Sequence, residues 1–345
     1  MNKVWQLAIR AIRPTLGNLI LLVALAAASV TFAPPFGKWS RLSRDPILSP
    51  RGSGFESAGT FNPSVIKIGE KYVMLYRAQD RNGASSLGYA ESDDGVHFGR
   101  RPEPVMISEE PYEKGGGVED PRLQKIGETY YLTYTAYNNV DGAGADKKDA
   151  QLCLATSTDL IHWKRQGTIM PAYKGKWNVH WTKSGAIVPE KIAGRYWMYY
   201  LGDAQGQGSQ MGVASSDDLL HWTDALDHPV LASRAGAFDS QVVEPGPPPV
   251  ITPEGIFLIY NGADDKMRYA TGWVLFAKAD PTKVLARAEQ PVFRPETGWE
   301  KVGQVPDVVF VEGAIREGQR WLFYYGAADK YIGVATAPVP VLLKR

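Results

Sequence analysis

Tyr72-Val73-Met74-Leu75-Tyr76, followed by Leu87-Gly88-Tyr89-Ala90-Glu91-Ser92-Asp93-Asp94-Gly95, decides the fold, because the chain repeats it. Tyr130-Tyr131-Leu132-Thr133-Tyr134 precedes Leu154-Ala155-Thr156-Ser157-Thr158-Asp159-Leu160 and His162-Trp163. Tyr196-Trp197-Met198-Tyr199-Tyr200 precedes Met211-Gly212-Val213-Ala214-Ser215-Ser216-Asp217-Asp218-Leu219 and His221-Trp222. Ile256-Phe257-Leu258-Ile259-Tyr260 precedes Trp273-Val274-Leu275-Phe276-Ala277, and Trp321-Leu322-Phe323-Tyr324-Tyr325 precedes Ile332-Gly333-Val334-Ala335-Thr336. Each copy is an aromatic-rich strand, a turn of small or polar residues, and a second strand that often ends in Ala-x-Ser and an acidic turn. β-branched and aromatic runs bounded by Gly, Asp and Asn read as strands. Between Phe55 and Val341 nothing has the period of a long amphipathic helix. A sheet unit recurring at about 60 residues implies blades around an axis. Five copies imply an all-β, five-bladed β-propeller. A β-sandwich with irregular hairpins is the alternative architecture.

Outward from the repeats, the 345-residue chain is 44% hydrophobic and 22% charged, enough for a large core. The net charge of +1 and the lack of any long basic run exclude nucleic acid as an expected partner. A neutral ligand such as a sugar fits that balance. The one cysteine, Cys153, can form neither an internal disulfide nor a thiolate metal cluster. The five histidines show no ligand spacing, so neither a metal nor a cofactor is expected. At the N-terminus Lys3, Arg10 and Arg13 precede an uncharged stretch over 14–33. Positive charge before an apolar run is the pattern of a secretory signal or membrane anchor. The expected organisation is a signal or anchor helix over 1–35, then one propeller domain over 36–345, exported and working outside the cytoplasm, with any membrane contact through the N-terminal segment.

In a propeller the innermost strands line a central funnel, so polar residues recurring before each aromatic strand share one site. Those residues are Asn62, Asp120, Lys183, Glu244 and Glu312. The most concentrated local signal is Gly115-Gly116-Gly117-Val118-Glu119-Asp120-Pro121-Arg122. Glycines allow unusual backbone angles and close approach of a ligand. Arg122 would hold a carboxylate or bind substrate. Spacing alone leaves Asp120 equally a structural partner of arginine or a catalytic acid.

Gly117 to Arg122 followed by Tyr130 to Tyr137 resembles the signature of glycoside hydrolase family 130. The resemblance extends to Phe61-Asn62-Pro63, Pro189-Glu190-Lys191-Ile192, Gly246-Pro247-Pro248-Pro249 and Tyr324-Tyr325-Gly326-Ala327-Ala328-Asp329, in order over roughly residues 55–340. It implies a five-bladed propeller and an inverting enzyme on β-mannosides, either a phosphorylase or a mannosidase. By position Asp120 matches the general acid, which in the phosphorylases acts through a sugar hydroxyl. Asn62, Arg77, Glu119 and Asp329 match positions around the sugar. The chain departs from the phosphorylase pattern at Gln151, Asn261, Glu244 and Glu312. Two added anions repel phosphate and suit a base for water, so Asp120 as acid with Glu244 and Glu312 as base implies hydrolysis of β-1,2-linked manno-oligosaccharides. Lys183 argues the other way, for a phosphorylase that takes inorganic phosphate as its second partner. A non-catalytic carbohydrate-binding propeller is the alternative of another class.

Overall fold

The computed structural model describes residues 32–139, 149–172, 177–204 and 206–340, and from Pro34 onward the chain is built of antiparallel strands. The export or anchor segment expected over 14–33 lies outside the described residues, except for its last two. No helix among the described residues is long and apolar enough to cross a membrane.

A short strand, β1 (Ser40–Arg41), comes first. Blade 1 follows with β2 (Gly59–Ile68), β3 (Lys71–Gln79), β4 (Ser85–Ser92) and β5 (Gly99–Arg100). Blade 2 is β6 (Gly115–Ile126), β7 (Thr129–Asn138), β8 (Asp149–Ser157) and β9 (Lys164–Met170). Blade 3 is β10 (Thr182–Ile187), β11 (Tyr196–Asp203), β12 (Ser209–Ser216) and β13 (Thr223–Asp224). Blade 4 starts with β14 (Val242–Pro245) and the two-residue β15 (Val250–Ile251), both paired to β16 (Ile256–Ala263), and continues with β17 (Tyr269–Ala277) and β18 (Asp280–Arg287). Blade 5 is β19 (Val309–Glu317), β20 (Arg320–Ala327) and β21 (Tyr331–Pro338), with β1 as its outer strand through Ser40↔Thr336 and Arg41↔Ala335. Both ends of the domain therefore build one blade, which closes the five-bladed propeller. The only α-helix among the described residues is one turn, α1 (Gly298–Lys301).

The aromatic strands are the second strand of each blade, and they are buried on both faces. Alternate residues of a strand point to opposite sides. In β3, Val73 and Leu75 enter the core shared with blade 2, whereas Tyr72, Met74 and Tyr76 enter the core shared with blade 5. In β11, Met198 and Tyr200 face blade 2 while Tyr199 faces blade 4. A strand with an apolar neighbour on each side reads as a continuous apolar run, which is why these strands dominate the sequence pattern.

One buried arrangement recurs in every blade. A tyrosine of the aromatic strand bonds to a polar residue from the loop before the inner strand: Tyr76 to Glu56, Tyr134 to Glu113, Tyr200 to Asn178, Tyr260 to Asp239 and Tyr325 to Glu300. In four blades an arginine of the outermost strand pairs with the acid: Arg100, Arg165, Arg287 and Arg41. In blade 3 the polarity is exchanged, with Asn178 in the loop and Asp224 on the outer strand, where Asp224 accepts from Tyr200. Each blade is thus clamped from its inner loop to its outer edge. The acidic turns play a lesser part: the Nδ1 of exposed His97, His162 and His221 lies 2.7 Å from Asp94, Asp159 and Asp218 of its own turn, so these histidines are turn residues.

Candidate active site

The inner strands carry the chemistry because they break register. The ladder skips Asn62 in β2, Asp120 with Pro121 in β6, Ser184 with Gly185 in β10, and Glu312 in β19. A bulge leaves a residue unpaired and re-aims its side chain. Asn62, Asp120 and Ser184 take positive φ of 50°, 51° and 60°. In each case Pro or Gly follows, a residue suited to a bulge.

Lys183, expected at the position shared by Asn62 and Asp120, stands one residue earlier, because the bulge in β10 falls on Ser184. The role read into Gly117 also changes. Its φ is +100°, and a Cβ there would come 2.0 Å from the Ser85 carbonyl oxygen. The close approach is to strand β4 rather than to a ligand.

Asp120 receives the Asn62 amide at 2.7 Å and an Arg77 N–H at 3.4 Å. Arg77 also bonds Glu119 and, at 3.0 Å, Ser85, and lies over the Phe61 ring. Lys183 Nζ is 4.0 Å from Glu119. Burial alone would raise Asp120, but Arg77, Lys183, Asn62 and Arg122 together hold it below the usual carboxylate range. In Glu119 burial wins over the same two cations and raises the group.

Arg122, expected at the substrate or beside a carboxylate, takes the second role. It is 1% exposed, and it donates to the carbonyls of Pro245 and Gly246 at 2.8 and 2.9 Å. Its Nη2 also lies 2.9 Å from Glu312, close enough for an ion pair but not aligned as a hydrogen bond. Glu312 is fully buried, and burial lifts it well above its ordinary range despite Arg122. With no exposed surface and Arg122 as its partner, Glu312 does not meet water where it stands, which speaks against the expected base role. Glu244 differs: it is 7% exposed, burial raises it, and the Ser184 hydroxyl donates to it. Asp329, partly exposed in the turn between β20 and β21 with φ 50°, is pushed up to about 6 by burial against the pull of Arg77.

Ser184 is a positioning residue that the sequence reading missed, and Asn261, read there only as a departure from the phosphorylase pattern, is another. Asn261 is fully buried, and its side chain exchanges hydrogen bonds with the Val311 backbone at 2.9 and 3.0 Å, tying the inner strand of blade 5 to blade 4 just before Glu312. The signal for Ser184 was its place before a glycine, matching Asn62 and Asp120 before prolines.

This ring of carboxyls with two arginines and a lysine has relatives. A family model described as β-1,4-mannooligosaccharide phosphorylase matches residues 39–344. A 1,2-β-oligomannan phosphorylase of Thermoanaerobacter sp. (strain X514) is 38% identical, covering 86% of this chain and 96% of its own. The structure of β-1,2-mannobiose phosphorylase from Listeria innocua, in complex with β-1,2-mannobiose, superposes with a TM-score of 0.75 at 27% identity, covering 87% of this chain and 97% of its own. A further structure superposes with a TM-score of 0.77 at 34% identity, covering 88% and 97%. It is described with the finding that this family of mannoside phosphorylases contains glycoside hydrolases that target β-1,2 mannosidic linkages in Candida mannan.

Proposed function

The chain belongs to glycoside hydrolase family 130, and from that premise we propose that it cleaves β-1,2-mannosidic bonds with inversion, Asp120 supplying the proton to the leaving oxygen. The observation that carries this is Asp120 itself, set in an inner-strand bulge and held by Asn62 and Arg77. In the free site burial of Asp120 is outweighed by Arg77, Lys183, Asn62 and Arg122, which hold it below the usual carboxylate range, so it acts as an acid only once protonated.

For the acceptor, kinship favours phosphate. Phosphate oxygen attacks the anomeric carbon, the bond to the leaving sugar breaks, and mannose 1-phosphate forms. Lys183, a quarter exposed and 4.0 Å from Glu119, is the cation that would meet the phosphate. The objection drawn from two extra anions weakens at Glu312, which is fully buried with Arg122 Nη2 at 2.9 Å, so its charge is met within the protein. Hydrolysis is the second reading, and Glu244 favours it. Ser184 orients this carboxyl, and its raised pKa suits a base that takes a proton from water.

The test is incubation of the protein from Pro34 onward with β-1,2-mannobiose, with and without phosphate. Mannose 1-phosphate formed only with phosphate supports phosphorolysis. Free mannose at a phosphate-independent rate replaces it with hydrolysis. In either case Asp120→Asn should lower turnover by about 10²–10⁴-fold. An inert protein in both tubes sinks the assignment.

A further inference from the structure

Arg122 reaches across the ring of blades. Its Nη1 donates at 3.2 Å to the carbonyl of Asp120, the backbone behind the acid's side chain. Its Nη2 and Nε donate at 2.8 and 2.9 Å to the carbonyls of Pro245 and Gly246, the two residues that follow Glu244. The same Nη2 lies 2.9 Å from Glu312. One planar, rigid group thus meets the backbone that carries Asp120 in blade 2, the backbone that carries Glu244 in blade 4 and the carboxyl of Glu312 in blade 5. Asn62 to Asp120, Ser184 to Glu244 and Asn261 to Val311 are links between neighbouring blades, whereas Arg122 spans from blade 2 past blade 3.

The equivalent positions of the other skipped strands hold no cation. Two residues past the unpaired residue, where blade 2 has Arg122, blade 1 has Ser64, blade 3 has Ala186 and blade 5 has Ala314. The arginine stands behind the one bulge that holds the acid. Asp120 needs such a hold. Its φ of 51° is left-handed, and the proline that follows pushes the residue before it towards extended backbone. A strained conformation persists only where its surroundings over-determine it. Asn62 and Arg77 bond the carboxylate itself. Arg122 bonds the peptide that joins Asp120 to Pro121, and so fixes where the side chain starts. It is 1% exposed and keeps its proton, so the fork cannot loosen by titration.

We propose that Arg122 is a positioning residue for the reaction: its guanidinium sets the place of the Asp120 carboxyl against blades 4 and 5, and it acts on the chemistry through Asp120. The inference rests on the mannoside reading above, with Asp120 as the acid, and adds the group that places it.

A double-mutant cycle with β-1,2-mannobiose tests it, in the acceptor that the parent protein uses. Arg122→Lys keeps the charge and loses the fork. It should lower kcat about 100-fold, the cost of a small misplacement of a reacting group, and change KM by less than about threefold. In the Asp120→Asn protein, which has no acid left to place, the same substitution should change the rate by less than about threefold. Should Arg122→Lys fail to fold, Gly246→Ala gives a second route. A Cβ there would meet the Val311 and Ile259 carbonyls at 2.7 and 2.9 Å, so the Gly246 carbonyl that Arg122 bonds must shift. The pattern should be the same with a smaller loss, roughly tenfold. A loss of equal size with and without the acid overturns the inference and leaves the mannoside assignment standing, because Arg122 then serves the scaffold alone. An unchanged kcat in Arg122→Lys overturns it as well. A parent inert on β-1,2-mannobiose, with and without phosphate, sinks the assignment and the inference together.

Discussion

Asp329 shows how the site loads individual residues. It sits in the turn between β20 and β21 in a left-handed backbone conformation, near Arg77 but also near Asp120 and Glu119, and burial raises it to about 6. Its folded pKa therefore exceeds its unfolded value of about 3.9. The folded state binds the proton more tightly, so the associated stability is fully present below about pH 4 and is lost as pH rises through 6. Asp329→Asn should therefore melt close to the parent at pH 4.5 and above it at pH 7.5. The gain should be on the order of 1 kcal/mol, tempered because Asp329 is partly exposed. Thermal melts at the two pH values check it, and a gap that does not widen with pH would mean the carboxylate is better paired than its surroundings indicate. The same substitution should remove an inflection near pH 6 from kcat/KM, since a charged acceptor for sugar hydroxyls is lost.

At the scale of the element, the clamp inside each blade decides how strands stay together. In blade 2 the Tyr134 hydroxyl reaches Glu113 at 2.9 Å and Arg165 reaches the same acid at 3.0 Å, with Glu113 fully buried. Removing a cation from a buried acid costs more than removing one neutral donor. Arg165→Met should cost about 3 kcal/mol and Tyr134→Phe about 1 kcal/mol, read by denaturant titration; the reverse order would show that the tyrosine holds the acid. None of this clamp was legible in the sequence, because its members come from a loop, a second strand and an outer edge with no local period. Strands such as Tyr130–Tyr134 were legible because they are apolar on both faces. The inner strands were not: Gly115–Ile126, with its glycines, its proline and its skipped register, reads as a loop before a strand. The bulge in β10 likewise explains the one-residue error at Lys183, since side-chain direction flips with each residue and the skipped residues reset it. Asn62 and Asp120 were found as polar residues recurring before the aromatic strands and Arg77 through the resemblance, and the structure brings the three into contact. Ser184 carries no motif, and it and Asn261 act through partners on the next blade, Glu244 and the Val311 backbone.

For the whole molecule, the same clamp has a second duty in blade 5. There the arginine is Arg41, from the opposite end of the domain. It meets Glu300 through two 2.7 Å bonds, while neighbouring Trp39 stacks on Phe323 at 3.6 Å. Arg165 and Glu113 lie in one blade, 52 residues apart; Arg41 and Glu300 are 259 apart, and their contact closes the ring. The two pairs share a chemistry: a mostly buried arginine, 15% exposed in one and 14% in the other, on a fully buried acid. Arg41→Met and Arg165→Met should therefore lower the Tm by similar amounts, roughly 5 °C. They should differ in rate. A blade that loses its clamp in mid-chain is still held by strands on both sides, whereas blade 5 without Arg41 can shed β1 and open the ring. The site draws on all five inner strands through Asn62, Asp120, Ser184, Glu244 and Glu312, so opening at blade 5 disperses Glu312 and Asp329 from Asp120. Arg41→Met should then lose activity faster than Arg165→Met at a temperature below both melting points. Equal half-lives would place the closure in the aromatic stack of Trp39 on Phe323 instead of the ion pair.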